Sequence, residues 1–194
     1  MTRKTNLVRK TKETYVEIKL NLDGKGKNKI VTTIPFFDHM LSLFSFHSGI
    51  DLSINANGDT QIDEHHLIED IGISLGQAFN TALGTKKGIN RYGEVLTPMD
   101  ESLSYVAVDI SGRGYLSYKV KFFPEYKKES FDYNLIKEFF YSFVHNAKIT
   151  LHIKILDGKN NHHICESIFK GVGRAIKQAI VVTKKNIPSS KGVL

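Results

Sequence analysis

The chain has 194 residues, 41% of them hydrophobic and 24% charged, with a formal net charge of +7 at pH 7. These proportions are those of a globular protein large enough for one compact domain or two closely packed halves. They exclude a membrane span, since no apolar run approaches the roughly 20 residues that crossing a bilayer takes. Cys165 is the only cysteine, which excludes an internal disulfide and thiolate-rich metal sites and fits a reducing cytoplasm. Any bound metal is then held by nitrogen and oxygen, a donor set that suits manganese, iron, nickel or zinc. Met1-Thr2-Arg3-Lys4-Thr5 precedes no apolar run, so no secretory leader is expected. The basic residues are dispersed, with clusters only at Arg9-Lys10-Thr11-Lys12 and Lys184-Lys185, neither interleaved with aromatics. That dispersal points to an anionic small molecule, with no nucleic acid and no membrane among the partners.

In chain order, residues 14–21 alternate, with Val16, Ile18 and Leu20 on one side, and predict a half-buried strand. Asp23-Gly24-Lys25-Gly26 predicts a turn, and 30–34 a second strand paired with the first as a hairpin. Pro35 stops that strand, 36–46 carries an apolar face for a helix, and Gly49 ends it. A strand over 50–55, a turn at Asn57-Gly58-Asp59 and a long helix over 64–83 complete a β-β-α-β-α half. The second half repeats the order, with strands at 105–110 and 115–122 turning at Ser111-Gly112-Arg113-Gly114 and a break at Pro124. A helix from Asp132, a strand over 149–155 and a last helix ending near Val182 follow. Residues 84–101 read as turns and charges between the halves, and 188–194 are too small and polar to join a core. The expected fold is α+β: two tandem β-β-α-β-α repeats, 1–90 and 91–194, each a small sheet covered on one face by two helices. Together they form one pseudo-symmetric domain spanning 1–194.

The stretch Asp63-Glu64-His65-His66-Leu67-Ile68-Glu69 returns 97 residues later as Asn160-Asn161-His162-His163-Ile164-Cys165-Glu166. Ile71, Gly76, Ala78 and Ala82 match Ile168, Gly173, Ala175 and Ala179 at the same displacement, which implies a duplicated unit. On a helix, positions i and i+4 share a face. His65 with Glu69, and His162 with Glu166, can each grip one ion, while His66 and His163 point elsewhere. A single histidine pair ahead of a helix is an ordinary capping or surface feature. Two copies, each with its carboxylate, favour metal. Two such helices facing each other would build two metal sites, each drawing on both copies.

Six segments carry a family likeness: IPFFDHM (34–40), GDTQIDEHHLIEDIG (58–72), KGINRYG (87–93), DISGRG (109–114), GKNNHHICESIFK (158–170) and PSSKGVL (188–194). In order and spacing they resemble the imidazoleglycerol-phosphate dehydratases, and the similarity begins at KTKET (10–14) and runs nearly end to end. The resemblance implies a cytoplasmic hydro-lyase of histidine biosynthesis that converts D-erythro-imidazoleglycerol phosphate to imidazole acetol phosphate. It implies two manganese ions per active site, with the substrate held between them as an imidazolate. It also implies a homo-oligomer of about 24 subunits with active sites at subunit contacts. One metal site is expected from His39, His66, His162 and Glu166, and the other from His65, Glu69, His163 and Glu138. The family more often has histidine where Glu138 stands; glutamate is a competent ligand for a hard divalent ion, and the alternative is an exposed glutamate paired with a lysine.

The resemblance also distributes the chemistry. Glu13, Glu69 and Glu166 are the expected catalytic carboxylates, with Glu13 a substrate contact and proton carrier; the alternative for Glu13 is a solvated strand-end group. His39 and His47, two helical turns apart on nearly one face, are expected to touch substrate. The phosphate falls to Arg91, Arg113, Lys170, Ser189, Ser190 and Lys191, with Asp100 and Glu101 as acidic neighbours of the site. Cys165 is expected to pack. The implied route expels the hydroxyl from the carbon attached to the ring, makes the neighbouring C–H acidic, and lets the resulting enol become a ketone. Rival readings remain: a two-metal phosphate-ester hydrolase, which would release free phosphate; a basic nucleic-acid module with steep salt dependence; and an inactive scaffold.

Overall fold

A computed structural model describes residues 3–124, 131–183, 185–192 and 194. Met1, Thr2, Lys184 and Val193, which figure in the sequence reading, lie outside the described residues. The first half contains β1 (Lys4–Lys10), β2 (Thr14–Asn21), β3 (Asn28–Val31), α1 (Pro35–Ser48), β4 (Asp51–Gly58) and α2 (His65–Leu83). The second contains β5 (Tyr92–Met99), β6 (Ser102–Asp109), β7 (Tyr115–Lys119), α3 (Leu135–Ala147), β8 (Thr150–Asp157) and α4 (Asn161–Ile180).

The α+β architecture of two sheets and four helices is as expected, but each half opens with an extra strand. β1 escapes the periodicity because its sequence, KTNLVRK, packs only Leu7 against the core. Its place is set by an antiparallel ladder on β2, with Leu7 opposite Ile18, and its charges suit a sheet edge. β5 falls in the stretch expected to be turns. Its inward residues are Gly93, Val95 and Thr97, too small to announce a strand, and Gly93 lets α4 lie close: a methyl there would come within 2.0 Å of the Ala175 carbonyl oxygen.

The sheets run β1-β2-β4-β3 and β5-β6-β8-β7. The expected hairpin between 14–21 and 30–34 does not form. β3 pairs in parallel with β4, Ile30 opposite Ile54, and β4 sits between β2 and β3. Asp51 at the start of β4 explains the detour, since its Oδ1 accepts the backbone amides of Lys25 (2.8 Å) and Lys27 (3.0 Å). The turn is thereby pinned beyond β4. β6 and β7 are likewise separated by β8.

α1 begins with Pro35, which has no amide hydrogen to orphan, and ends on Gly49 at φ 75°, a left-handed cap. It buries Phe37, Met40, Leu41, Phe44, Ser45 and Ser48; α3 buries Ile136, Phe139, Phe140, Phe143, Val144 and Ala147, each 99 positions later. α2 packs on α3 and α4 on α1, so the two motif helices do not face each other as expected. Both crossings turn on the repeat's shared glycine. A methyl on Gly76 would come within 2.5 Å of the Phe143 carbonyl oxygen, and one on Gly173 within 2.8 Å of that of Phe44. The helices pack against the sheets and against one another across the two halves, around one continuous apolar core.

Candidate active site

Both histidine pairs sit in the first turn of a helix, α4 capped by Asn160 and α2 approached by Asp63 one residue before its N-cap position. Asn160 Oδ1 accepts the His162 amide at 2.8 Å and the His163 amide at 3.4 Å. Asp63, 97 residues earlier, accepts the His65 amide at 2.8 Å. These side-chain oxygens satisfy amides that the helix cannot, and fix where each histidine pair begins.

Three of the expected ligands converge. His39 on α1 and His162 on α4 each place Nε2 3.0 Å from the same Oε1 of Glu166. Lys170 Nζ lies 2.5 Å from the other oxygen, Oε2. Burial alone would push the Glu166 carboxyl up, but the Lys170, His39 and His162 hydrogen bonds outweigh it and hold the group at about 2. A charged carboxylate between two imidazoles is a donor set that fits a divalent cation. His66, the fourth expected member, is elsewhere: its Nδ1 is 3.1 Å from Asp59 Oδ2 and 3.8 Å from Glu13 Oε2. The hydrogen bond to Asp59, with Glu13 nearby, raises its pKa.

On α2, His65 Nε2 is 3.7 Å from Glu69 Oε2. Glu138 is half-buried in the first turn of α3 and makes no side-chain hydrogen bond or ion pair among the described residues. By helix register it stands 99 positions after His39, on the helix that crosses α2 as α1 crosses α4. His163 Nδ1 meets Glu101 Oε2 at 2.7 Å; Asp100 is 3.8 Å from Nε2. The hydrogen bond from His163, helped by the backbone amides of Asn160 and Lys159, holds Glu101 at about 2 and raises His163 in turn.

The expected phosphate contacts do not join this cluster, apart from Lys170. Arg91 forks onto Asp109, with Nε 2.6 Å from Oδ1 and Nη2 3.0 Å from Oδ2, and its Nη1 donates to the Pro188 carbonyl at 3.0 Å. The guanidinium thus ties the 188–194 tail to the second sheet, where Leu194 lies against Gly112, beside exposed Arg113. In the tail, Ser189 Oγ accepts the Lys191 amide in a turn that leaves Ser190 and Lys191 exposed. The Arg91 amide donates to Ala179 near the end of α4. Thirteen residues of helix, about 20 Å, separate that point from Glu166. A substrate shorter than that span cannot contact both of these points on α4 of one chain.

His47 borders an open basic groove with Arg174 and Lys177. Burial, with Lys170, Arg174 and Lys177 nearby, lowers its pKa. Cys165 is fully buried, as expected. Sequence reasoning missed Asp59 and Asp109. Asp59 reads as one more turn residue, and Asp109 lies within DISGRG with nothing to announce its pairing to Arg91.

The profile described as imidazoleglycerol-phosphate dehydratase matches residues 32–176. A relative of that name from Endomicrobium trichonymphae is 56% identical over 194 residues, covering 99% of this chain and 98% of its own. One from Oceanobacillus iheyensis is 54% identical, covering 99% of this chain and all of its own. Solved structures agree. The dehydratase from Staphylococcus aureus superposes with a TM-score of 0.82 at 41% identity, covering 93% of this chain and 99% of its own. That from Pyrococcus furiosus gives 0.84 at 38% identity, covering 97% of this chain and 100% of its own. No helix among the described residues is long and apolar enough to cross a membrane. The chain belongs to the imidazoleglycerol-phosphate dehydratase family, hydro-lyases of histidine biosynthesis.

Proposed function

We propose that this chain dehydrates imidazoleglycerol phosphate in the cytoplasm with two divalent ions per active site, manganese in this reading, at sites completed between copies of a homo-oligomer. The observation that carries the reading is the convergence of His39, His162 and Glu166 from the two halves of the chain. It also supports treating 1–90 and 91–194 as one working unit. When bound, the ions supply Lewis-acid stabilisation of the substrate ring as an imidazolate.

The chain's own residues supply the rest. His39, His162 and Glu166 form one three-donor set, which His66 completes; His65, Glu69 and Glu138 form its counterpart, which His163 completes. The register of Glu138 against His39 supports that pairing. Glu69 and Glu166 bring negative charge to the two sets. Glu13 lies beside His66, on a turn fixed by the Thr11 hydroxyl, which accepts the Glu13 and Thr14 amides at 3.1 and 2.9 Å. From there it takes the proton next to the departing hydroxyl. Lys170 and His47 line the substrate's path. Arg91 and Arg113, with Ser189, Ser190 and Lys191 of the tail that Arg91 orders, bind the phosphate. The separation of this tail from Glu166 supports sites shared between copies, as do the exposed apolar residues Val8, Val31, Tyr92 and Leu96 on the sheets.

The test is to strip the protein with a chelator, add manganese back and follow product. The expected result is activity lost and then restored, with a new ketone and phosphate retained. Free phosphate would favour the hydrolase, and turnover unaffected by chelation would refute the metal reading.

A further inference from the structure

The second histidine of each motif copy meets a carboxylate through the same ring nitrogen. His163 Nδ1 lies 2.7 Å from Glu101 Oε2, and His66 Nδ1 lies 3.1 Å from Asp59 Oδ2. An ionised carboxylate only accepts, so the ring hydrogen sits on Nδ1 and Nε2 keeps its lone pair. The first histidines, and His39, already turn Nε2 toward a glutamate. By the same rule His39 and His162 carry hydrogen on the Nε2 that faces Glu166 until an ion displaces it, and with that exchange all five rings present Nε2.

The two carboxylates are not a by-product of duplication. Asp59 follows β4, while Glu101 lies between β5 and β6, and the 97-residue displacement does not relate them. Glu101 is itself anchored: its Oε1 accepts the Lys159 and Asn160 amides at 3.2 and 2.9 Å and the Ser102 hydroxyl at 3.2 Å. The carboxylate thus ties the turn before β6 to the start of α4. Asp59 has a mostly buried side chain directed at His66.

We infer that Asp59 and Glu101 are positioning residues that fix the Nδ1–H tautomer of His66 and His163 and present Nε2 of each to a divalent ion. This assignment rests on reading those histidines as metal ligands. Carboxylate partners of this kind orient a ligand imidazole and raise its basicity, and losing one typically weakens metal binding about 10- to 100-fold. The competing assignment makes Asp59 itself a ligand, together with Glu13 and His66, whose donor atoms lie within 4.8 Å of one another.

The experiment titrates manganese into the chelator-stripped full-length protein and reads both ion count and affinity, with the melting temperature of each metal-free variant as a folding control. D59A and E101A should keep the parent's ion count and weaken one class of ion by about 10- to 100-fold. D59N, whose amide oxygen still accepts from Nδ1, should lie nearer the parent than D59A. The loss caused by E101A should vanish when His163 is already absent, so that E101A/H163A binds like H163A. If E101A alone fails to fold, the D59A and D59N pair decides by the same criteria. Parent-like affinity in D59A and E101A overturns the assignment, as does an E101A effect that persists without His163. Loss of a whole ion in D59A overturns it in favour of Asp59 as a ligand. A parent that takes up no manganese refutes the ligand reading itself, and with it this assignment.

Discussion

The α1–α4 and α3–α2 crossings are two copies of one arrangement, and they have aged differently. In the first, two imidazoles and a carboxylate are already in contact, the Glu166 side chain is 10% exposed, and Lys170 neutralises it. In the second, His65 and Glu69 stand 3.7 Å apart, the Glu69 side chain is 46% exposed, and a glutamate holds the register position of His39. The residue 97 before Lys170 is Ile73, so the second crossing has no equivalent cation. Duplication preserved helix register and the crossing glycines, while the charges around each crossing diverged. A preassembled donor set binds its ion with less ordering cost, so the two ions should differ in affinity, the α1–α4 ion being held more tightly.

The largest break in the comparison comes from Glu166. E166Q removes the charge shared by His39, His162 and Lys170, and should lower kcat/KM at least about a hundredfold, close to 2.7 kcal/mol in the barrier. Steady-state kinetics with saturating manganese checks it. Next come the crossing glycines. G76A and G173A each force a methyl against a carbonyl oxygen and should cost about 1–3 kcal/mol of stability. G76A should be the worse, given its closer approach, and denaturant unfolding of the metal-free protein reads both. E138H makes α3 resemble α1, and should move metal preference from manganese toward zinc by about tenfold. Competition between the two metals measures the shift.

The smallest effect is a pair of opposite pH trends. His66 and His163 have raised pKa values in the metal-free fold, because Asp59 and Glu101 hold their charged forms. The stabilisation they give is fully present below the ordinary histidine value of about 6.5 and is lost as pH rises through the folded values. Metal must displace the Nε2 proton of those charged rings, so manganese uptake should improve over that rise. Melting curves with and without manganese, from about pH 6 to about pH 8, should move in opposite directions.

Much of this was legible in the sequence. The paired motifs, the long helices and the β2 alternation carry strong periodic signals, and the i, i+4 pairing of His162 with Glu166 follows from helix geometry alone. β1 and β5 were invisible because their inward faces hold, apart from Leu7, only polar or small residues, and their partners, not their own side chains, make them strands. The hairpin failed because a distant carboxylate, Asp51, decides where the 23–27 turn goes. Asp59 and Asp109 were missed for the same reason: a carboxylate in a turn or at a strand end says nothing of which side chain the fold will bring to it. Arg91 shows the reverse, since its likeness to a phosphate ligand gives no hint that Asp109 also pairs with its guanidinium.

The central claim is that the two crossings each hold one ion. Equilibrium counting of manganese on the stripped protein, beside H39A and E138A variants, tests it most directly. Two ions per chain in the parent, and one in each variant, is the predicted result. A parent that turns over fully with a single ion, or with none, would contradict it.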